Sequence, residues 1–215
     1  MSATLRSTLF PGPAGRLEGL WKGPVEPRRG AAVVAHPHPL HGGTQHNKVV
    51  YRAAQALTRA GYATLRFNFR GVGVSEGRHD SGRGEVGDYR AALDEAQRSE
   101  GLPIVAAGFS FGAAMALKAI PGDTRIEACI ALGLPLATES GRGVARPSVP
   151  ALLVVGEKDA FGPPEELACF LGGTGRLVVV PGADHFFEGA LESVGEAILE
   201  FLAGLRPAGR QSEAS

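Results

Sequence analysis

The sequence predicts an α/β protein: a mostly parallel central sheet of about eight strands, an antiparallel hairpin at its N-terminal end, and helices on both faces. Three observations carry this expectation. From residue 31 onward, short apolar runs alternate with longer segments of helical periodicity. The runs are apolar throughout, so each strand is covered on both faces, as in a parallel sheet. The chain has 215 residues, 44% of them hydrophobic, enough to bury one large core.

The elements follow in order. STLF (7–10) and RLEGLW (16–21) flank the turn PGPAG and form the hairpin. AAVVAH (31–36) is a buried strand, and the loop PHPLHGGTQHNK leads from it into the helix VVYRAAQALTRA (49–60), stopped by Gly61. YATLRFNF (62–69) is a strand, RGVGVSEGRHDSGRG (70–84) a glycine-rich loop, and EVGDYRAALDEAQRS (85–99) an amphipathic helix. PIVAAGF (103–109) is a strand that runs into the helix GAAMALKAI (112–120). EACIALGLP (127–135) and ALLVVG (151–156) are strands, PPEELACFL (163–171) a helix, RLVVVP (176–181) a strand, and LESVGEAILEFLAGL (191–205) the closing helix. One domain is expected over 1–206, followed by a disordered tail at 207–215.

Composition excludes several classes. Lys+Arg and Asp+Glu are equal at 22, and the longest basic cluster is Arg28–Arg29, so no nucleic-acid partner is expected. No apolar run reaches the ~18 residues of a membrane span. The first residues lack the apolar core of a secretory signal, which gives the expectation of a cytoplasmic protein. Cys129 and Cys169 both lie in apolar contexts and read as buried free thiols of a reducing compartment. The sequence carries no signature of an oligomeric state; a homodimer is compatible with it.

In open sheets of this kind, functional groups gather beyond the carboxyl ends of the strands. One such corner reads Gly108-Phe109-Ser110-Phe111-Gly112. It fits G-x-S-x-G, the turn that exposes a nucleophilic serine between a strand and a helix. Small residues are needed two positions either side because strand and helix approach closely there. A serine hydroxyl needs a base. Of six histidines, only His185 follows Ser110, and it stands just past the last strand. Asp123, Asp159 and Asp184 lie between them. Asp159, three residues beyond a buried strand, is placed to orient the imidazole. Asp184 adjoins His185 and reads as a loop hydrogen-bonder, Asp123 as a turn residue, and Glu157 as the weaker alternative acid.

An oxyanion needs two donors. The amide of Phe111 supplies one. The other is expected from the loop after residue 36, where Pro37 and Pro39 have no N–H, leaving His38 and then Leu40. Leu40, Phe109, Phe161 and Phe186 are candidate substrate contacts; for Phe109, Phe161 and Phe186, as for Phe111 and Phe187, the core is the alternative place. His36, His38, His41 and His46 invite a metal reading, but their loop has no carboxylate and is restricted by two prolines. Loop-shaping hydrogen bonds are the expected role of His36 and His41. Gly71, Gly73 and Gly77 are spaced one residue too widely for a dinucleotide loop, so Arg70 and Ser75 are expected to pack under the site.

From residue 17 to 205 the chain resembles the α/β-hydrolase superfamily. HPHPLHGGTQHNKVVY and TLRFNFRGVGVSEG, with the serine corner and GADHFF, resemble its small lidless bacterial members, of esterase and dienelactone-hydrolase type. The resemblance implies a Ser-His-Asp hydrolase with neither metal nor organic cofactor, acting on a small-molecule ester. The segment LATESGRGVARPS is too short for a helical cap, so an open cleft for small or medium acyl groups is expected. The same residues would serve thioester or amide cleavage, and a non-catalytic ligand-binding protein on this scaffold is the rival from another class. Activity is expected to fall at acidic pH as His185 becomes protonated.

Overall fold

The computed structural model describes residues 5–101, 103–173 and 175–205. Its centre is one eight-stranded sheet with the order β1-β2-β4-β3-β5-β6-β7-β8. The strands β1 (Leu5–Gly12) and β2 (Gly15–Lys22) form the antiparallel hairpin, in full register from Leu5 opposite Lys22 to Gly12 opposite Gly15. Strand β2 also pairs antiparallel with β4 (Tyr62–Phe67). The rest is parallel: β3 (Gly30–Ala35), β4, β5 (Ile104–Phe109), β6 (Ile126–Leu132), β7 (Ala151–Gly156) and β8 (Arg176–Val180).

The apolar runs pack as a period of two requires. Ala31, Val33 and Ala35 face one side of the sheet, and Ala32 and Val34 the other. On the first side lie α2 (Arg83–Glu100), α3 (Phe111–Ala119) and α4 (Pro164–Leu171). On the second lie α1 (Lys48–Arg59) and α5 (Leu191–Gly204), which contribute Val50, Leu57, Val194 and Ile198 to the core. Between β6 and β7 the chain makes only a short helical turn, Glu139–Gly141, and no cap.

Three readings of the sequence are corrected in detail. Cys129 is buried but Cys169 is exposed. The inward stripe of α4 is Leu167 and Leu171, and Cys169, two residues from each, falls on the opposite face. Strand β4 stops at Phe67 rather than 69, because the Phe69 amide donates to the His36 ring instead of joining the ladder. Helix α2 begins two residues early, at Arg83, where the Glu85 carboxylate accepts from the Gly82 amide. The expected tail at 207–215 lies outside the described residues.

The strand order reverses between β3 and β5, since β4 lies to one side of this pair and β6 to the other. Crevices for ligands form at such a reversal, beyond the carboxyl ends of the strands. The loops after β3 and β5 carry His36–His38 and Ser110 to that place.

Candidate active site

Ser110 sits where β5 turns into α3, with φ 54° and ψ −120°. That left-handed φ is strained for a residue with a side chain. The corner is held by close backbone contact. A Cβ on Gly108 would stand 2.3 Å from the carbonyl carbon of Gly112, and one on Gly112 would stand 2.5 Å from the Ala35 oxygen. Only glycine fits either position. The start of α3 is thereby drawn against the end of β3, and its N-terminal partial positive charge lies beside the serine.

His185 Nε2 lies 2.9 Å from Ser110 Oγ, and Nδ1 lies 2.8 Å from Asp159 Oδ2. A carboxylate only accepts, so Nδ1 carries the proton and donates to it. In the neutral ring Nε2 is then the acceptor, and the serine hydroxyl donates. The other oxygen of Asp159 accepts from the Phe161 amide at 2.9 Å, and the carboxylate is fully buried. Phe109, Phe161 and Phe186 surround the imidazole, with ring centroids 5.3, 4.6 and 5.3 Å away. They limit the orientations open to it.

The amides of Phe111 and His38 have no acceptor among the described residues. His36 fixes the second of these. Its ring is completely buried; Nε2 accepts from the Phe69 amide at 3.1 Å, and Nδ1 lies 2.6 Å from the Pro37 oxygen. The carbonyl only accepts, so Nδ1–H donates to it and the tautomer is set. Burial, with a smaller push from the neighbouring His38, lowers the His36 pKa to about 4, so the ring is neutral near pH 7. Across the trans Pro37–His38 peptide, N–H and C=O point in opposite directions. Pinning the Pro37 oxygen inward therefore turns the His38 amide outward. The His38 ring accepts from the Leu40 amide at 3.3 Å and stacks on His41 at 4.6 Å. Burial, then His41 and His79, push its pKa down.

The cleft over Ser110 has a volume of about 420 Å³. His38, His41 and Gly43 form one wall, Pro135, Thr138 and Ser140 another, and Phe161 and Phe186 stand beside His185. Two expected substrate contacts stand elsewhere. Phe109 follows Val105 and Ala107 onto the α1–α5 side of the sheet, is buried behind His185, and lines a neighbouring hollow rather than the cleft itself. Leu40 is 69% exposed, outside the cleft lining, and its amide is engaged by the His38 ring. Phe161 and Phe186 do line the cleft. Asp184 accepts from the Phe186 amide, Glu157 from the Gly182 amide, and Asp123 pairs with Arg125, so none of them reaches His185 in place of Asp159. Arg70 is locked to the buried Asp88, and Ser75 bonds Asn68 and Glu18. Among the described residues no three His, Cys, Asp or Glu side chains converge as metal ligands.

No sequence pattern marks His79, whose ring packs against His38 and Phe111 with centroids 5.1 and 5.8 Å away. Its Nδ1 lies 2.9 Å from Glu85 Oε1, at ion-pairing distance but outside hydrogen-bond geometry. It comes from the glycine-rich loop, which has no periodicity to follow. Gly43 could have been read: its missing Cβ leaves room for the Pro37 oxygen, 2.1 Å from where that atom would be.

A serine corner after a central parallel strand, a histidine after the last strand and helices on both faces define the class of α/β hydrolases. The chain belongs to this family: residues 30–198 match the alpha/beta hydrolase domain. It is 34% identical over 206 residues to an uncharacterized protein of Rickettsia prowazekii, covering 90% of this chain and 87% of that one. An alpha-beta serine hydrolase homologue from Coxiella burnetii superimposes with a TM-score of 0.84 at 38% identity, covering 91% of this chain and 96% of the other. A Xanthomonas campestris protein described as an a/b serine hydrolase without lid gives 0.86 at 30% identity, covering 97% of both chains. Family and relatives support hydrolase activity. No helix among the described residues is long and apolar enough to cross a membrane.

Proposed function

We propose that the protein is a serine hydrolase that cleaves small or medium carboxylic esters through an acyl-enzyme. The observation that carries this reading is the unbroken hydrogen-bonded chain from Asp159 through His185 to Ser110. Ser110 Oγ attacks the ester carbonyl as its proton passes to His185 Nε2. Asp159 holds the ring and stabilises the imidazolium. The carbonyl oxygen becomes an oxyanion facing the Phe111 and His38 amides. Collapse breaks the bond to the alkoxy oxygen, which leaves with the proton from Nε2, and the acyl group stays on Ser110. Water then repeats the sequence: its proton goes to Nε2, its oxygen to the acyl carbon, and Ser110 recovers its proton as the carboxylic acid departs.

With no cap over the cleft, the reading favours short and medium acyl chains. The test is hydrolysis of p-nitrophenyl acetate and butyrate, together with fluorophosphonate labelling. Both are expected in the native protein and lost in Ser110→Ala. Unchanged hydrolysis in Ser110→Ala, or a label on another residue, would overturn the assignment.

A further inference from the structure

The catalytic cleft adjoins a second hollow of about 470 Å³. The two share Gly42, Asn47 and Phe186 in their walls, so Phe186 stands as a partition between them. The rest of the second hollow is built by the residues leading into α1, among them Thr44 and His46, by the first turn of α1 with Lys48, and by the turn after β8, with Glu188 and Gly189.

The chemistry of a tetrahedral adduct on Ser110 gives this hollow a direction. The oxyanion faces the Phe111 and His38 amides. The leaving oxygen must face His185 Nε2, which protonates it. The remaining substituent, the acyl group, is left the wall of Pro135, Thr138 and Ser140. Immediately beyond His185 the chain is Phe186–Gly189, the wall of the second hollow. A leaving group of any length therefore passes Phe186 and enters it.

The two hollows differ in chemistry. The catalytic cleft is mostly apolar, with Pro37, Phe111, Pro135 and Phe161 beside the polar Thr138, Glu139 and Ser140. The second hollow is mixed: beside Val49, Phe109, Phe187 and Leu191 it offers a hydroxyl, an imidazole, an ammonium and a carboxylate at Thr44, His46, Lys48 and Glu188. One charge of each sign lines it, so neither an anionic nor a cationic group is favoured, while donors and acceptors are both at hand. From this we infer that the second hollow is the leaving-group subsite and that it takes a neutral, hydroxyl-rich alcohol. The substrate class is then an apolar acyl ester of a polyol or sugar. This rests on Ser110 acting as the nucleophile.

The test compares esters that share one acyl group: ethyl butyrate, 1-monobutyrin and 6-O-butyrylglucose. The specificity constant kcat/KM for the glucose ester should exceed that for ethyl butyrate by about ten-fold or more, the effect of two to three added hydrogen bonds. Thr44→Val and, on the opposite wall, Glu188→Gln should each reduce that ratio by about three-fold or more, with Tm measured for both. Two variants on different elements keep the test valid if one folds poorly. A ratio at or below one in the native protein overturns the subsite, and so does a high ratio that neither substitution changes. If fluorophosphonate labels Ser110 in either case, only the subsite falls. If Ser110 is unlabelled and no ester is cleaved, the nucleophile assignment falls and takes the subsite with it.

Discussion

His36→Leu separates the loop's architecture from its chemistry. Leucine is close to imidazole in volume, but it strips the Phe69 amide of its acceptor and the Pro37 oxygen of its donor. Each buried group left unpaired costs about 1–3 kcal/mol. The apolar side chain returns about 2 kcal/mol of transfer free energy. The net loss near pH 7.5 is about 0–4 kcal/mol, or up to about 15 °C in Tm for a chain of this size. The pH dependence is the sharper readout. The folded pKa of His36 is about 4, below its ordinary 6.5. Between those values the unfolded chain binds a proton here and the folded chain does not, so unfolding is favoured as pH falls. This site's contribution is intact above pH 6.5, declines toward pH 4 and is flat below it. At about 1.4 kcal/mol per pH unit, the native protein loses about 3 kcal/mol at this site over that window, and the leucine variant loses nothing. The His38 pKa is also pushed down, but both proteins keep His38, so its effect cancels in the difference. Urea titrations at pH 7.5, 6, 5 and 4.5 should therefore show the two stability curves converging. In parallel, kcat at pH 7.5 should fall by about 100-fold with little change in KM, as expected of a misdirected oxyanion donor. A difference in stability between the two proteins that stays constant with pH would refute this account of His36.

Three further outcomes are expected. Gly112→Ala forces a Cβ to within 2.5 Å of the Ala35 backbone oxygen and should destabilise by at least about 1–3 kcal/mol, whereas Gly204→Ala, with nothing within 4 Å, should raise Tm slightly; calorimetry decides, and shifts of the same sign would count against the close approach. Asp159→Asn should lower kcat by about 10⁴-fold through the wrong imidazole tautomer; p-nitrophenyl butyrate assays check this, and a loss under ten-fold would remove Asp159 from its role. Native alkylation with iodoacetamide should mark the exposed Cys169 and spare Cys129, whose thiol burial pushes up to about 12; mass spectrometry showing Cys129 modified at a comparable rate would contradict its burial.

The centre of the sheet was legible because burial on both faces leaves β3, β5 and β7 with no polar side chain to confuse them. The serine corner was legible because its glycines answer a steric demand visible in five residues. Phe109 obeys a rule that competes with proximity. It stands beside Ser110 in sequence, yet the period of two sends it with Val105 and Ala107 to the far side of the sheet. The same rule, at period 3.6, places Cys169 outside. The pinned Pro37–His38 peptide was half legible: a loop-shaping role for His36 follows from the sequence, but its acceptor contact with the Phe69 amide joins strands that are neighbours only in space. His79 and the Pro135–Ser140 wall belong to loops whose course depends on long-range contacts, so no local pattern announced them.

The strain at Ser110 explains why the site rests on glycines and on an alanine-rich helix. A left-handed φ at a residue with a side chain costs about 1–3 kcal/mol and persists only where the surroundings over-determine it. Here the surroundings are the backbone contacts of Gly108 and Gly112 and the burial of Ala113, Ala114, Met115 and Leu117 on the next two turns. The contact between Gly112 and the end of β3 also carries His36 and the following loop toward the start of α3. One close approach therefore fixes the nucleophile's backbone and the spacing of the two free amides. Substitutions that loosen it should reduce labelling of Ser110 before they unfold the sheet, because the strained corner depends on that contact and the sheet does not.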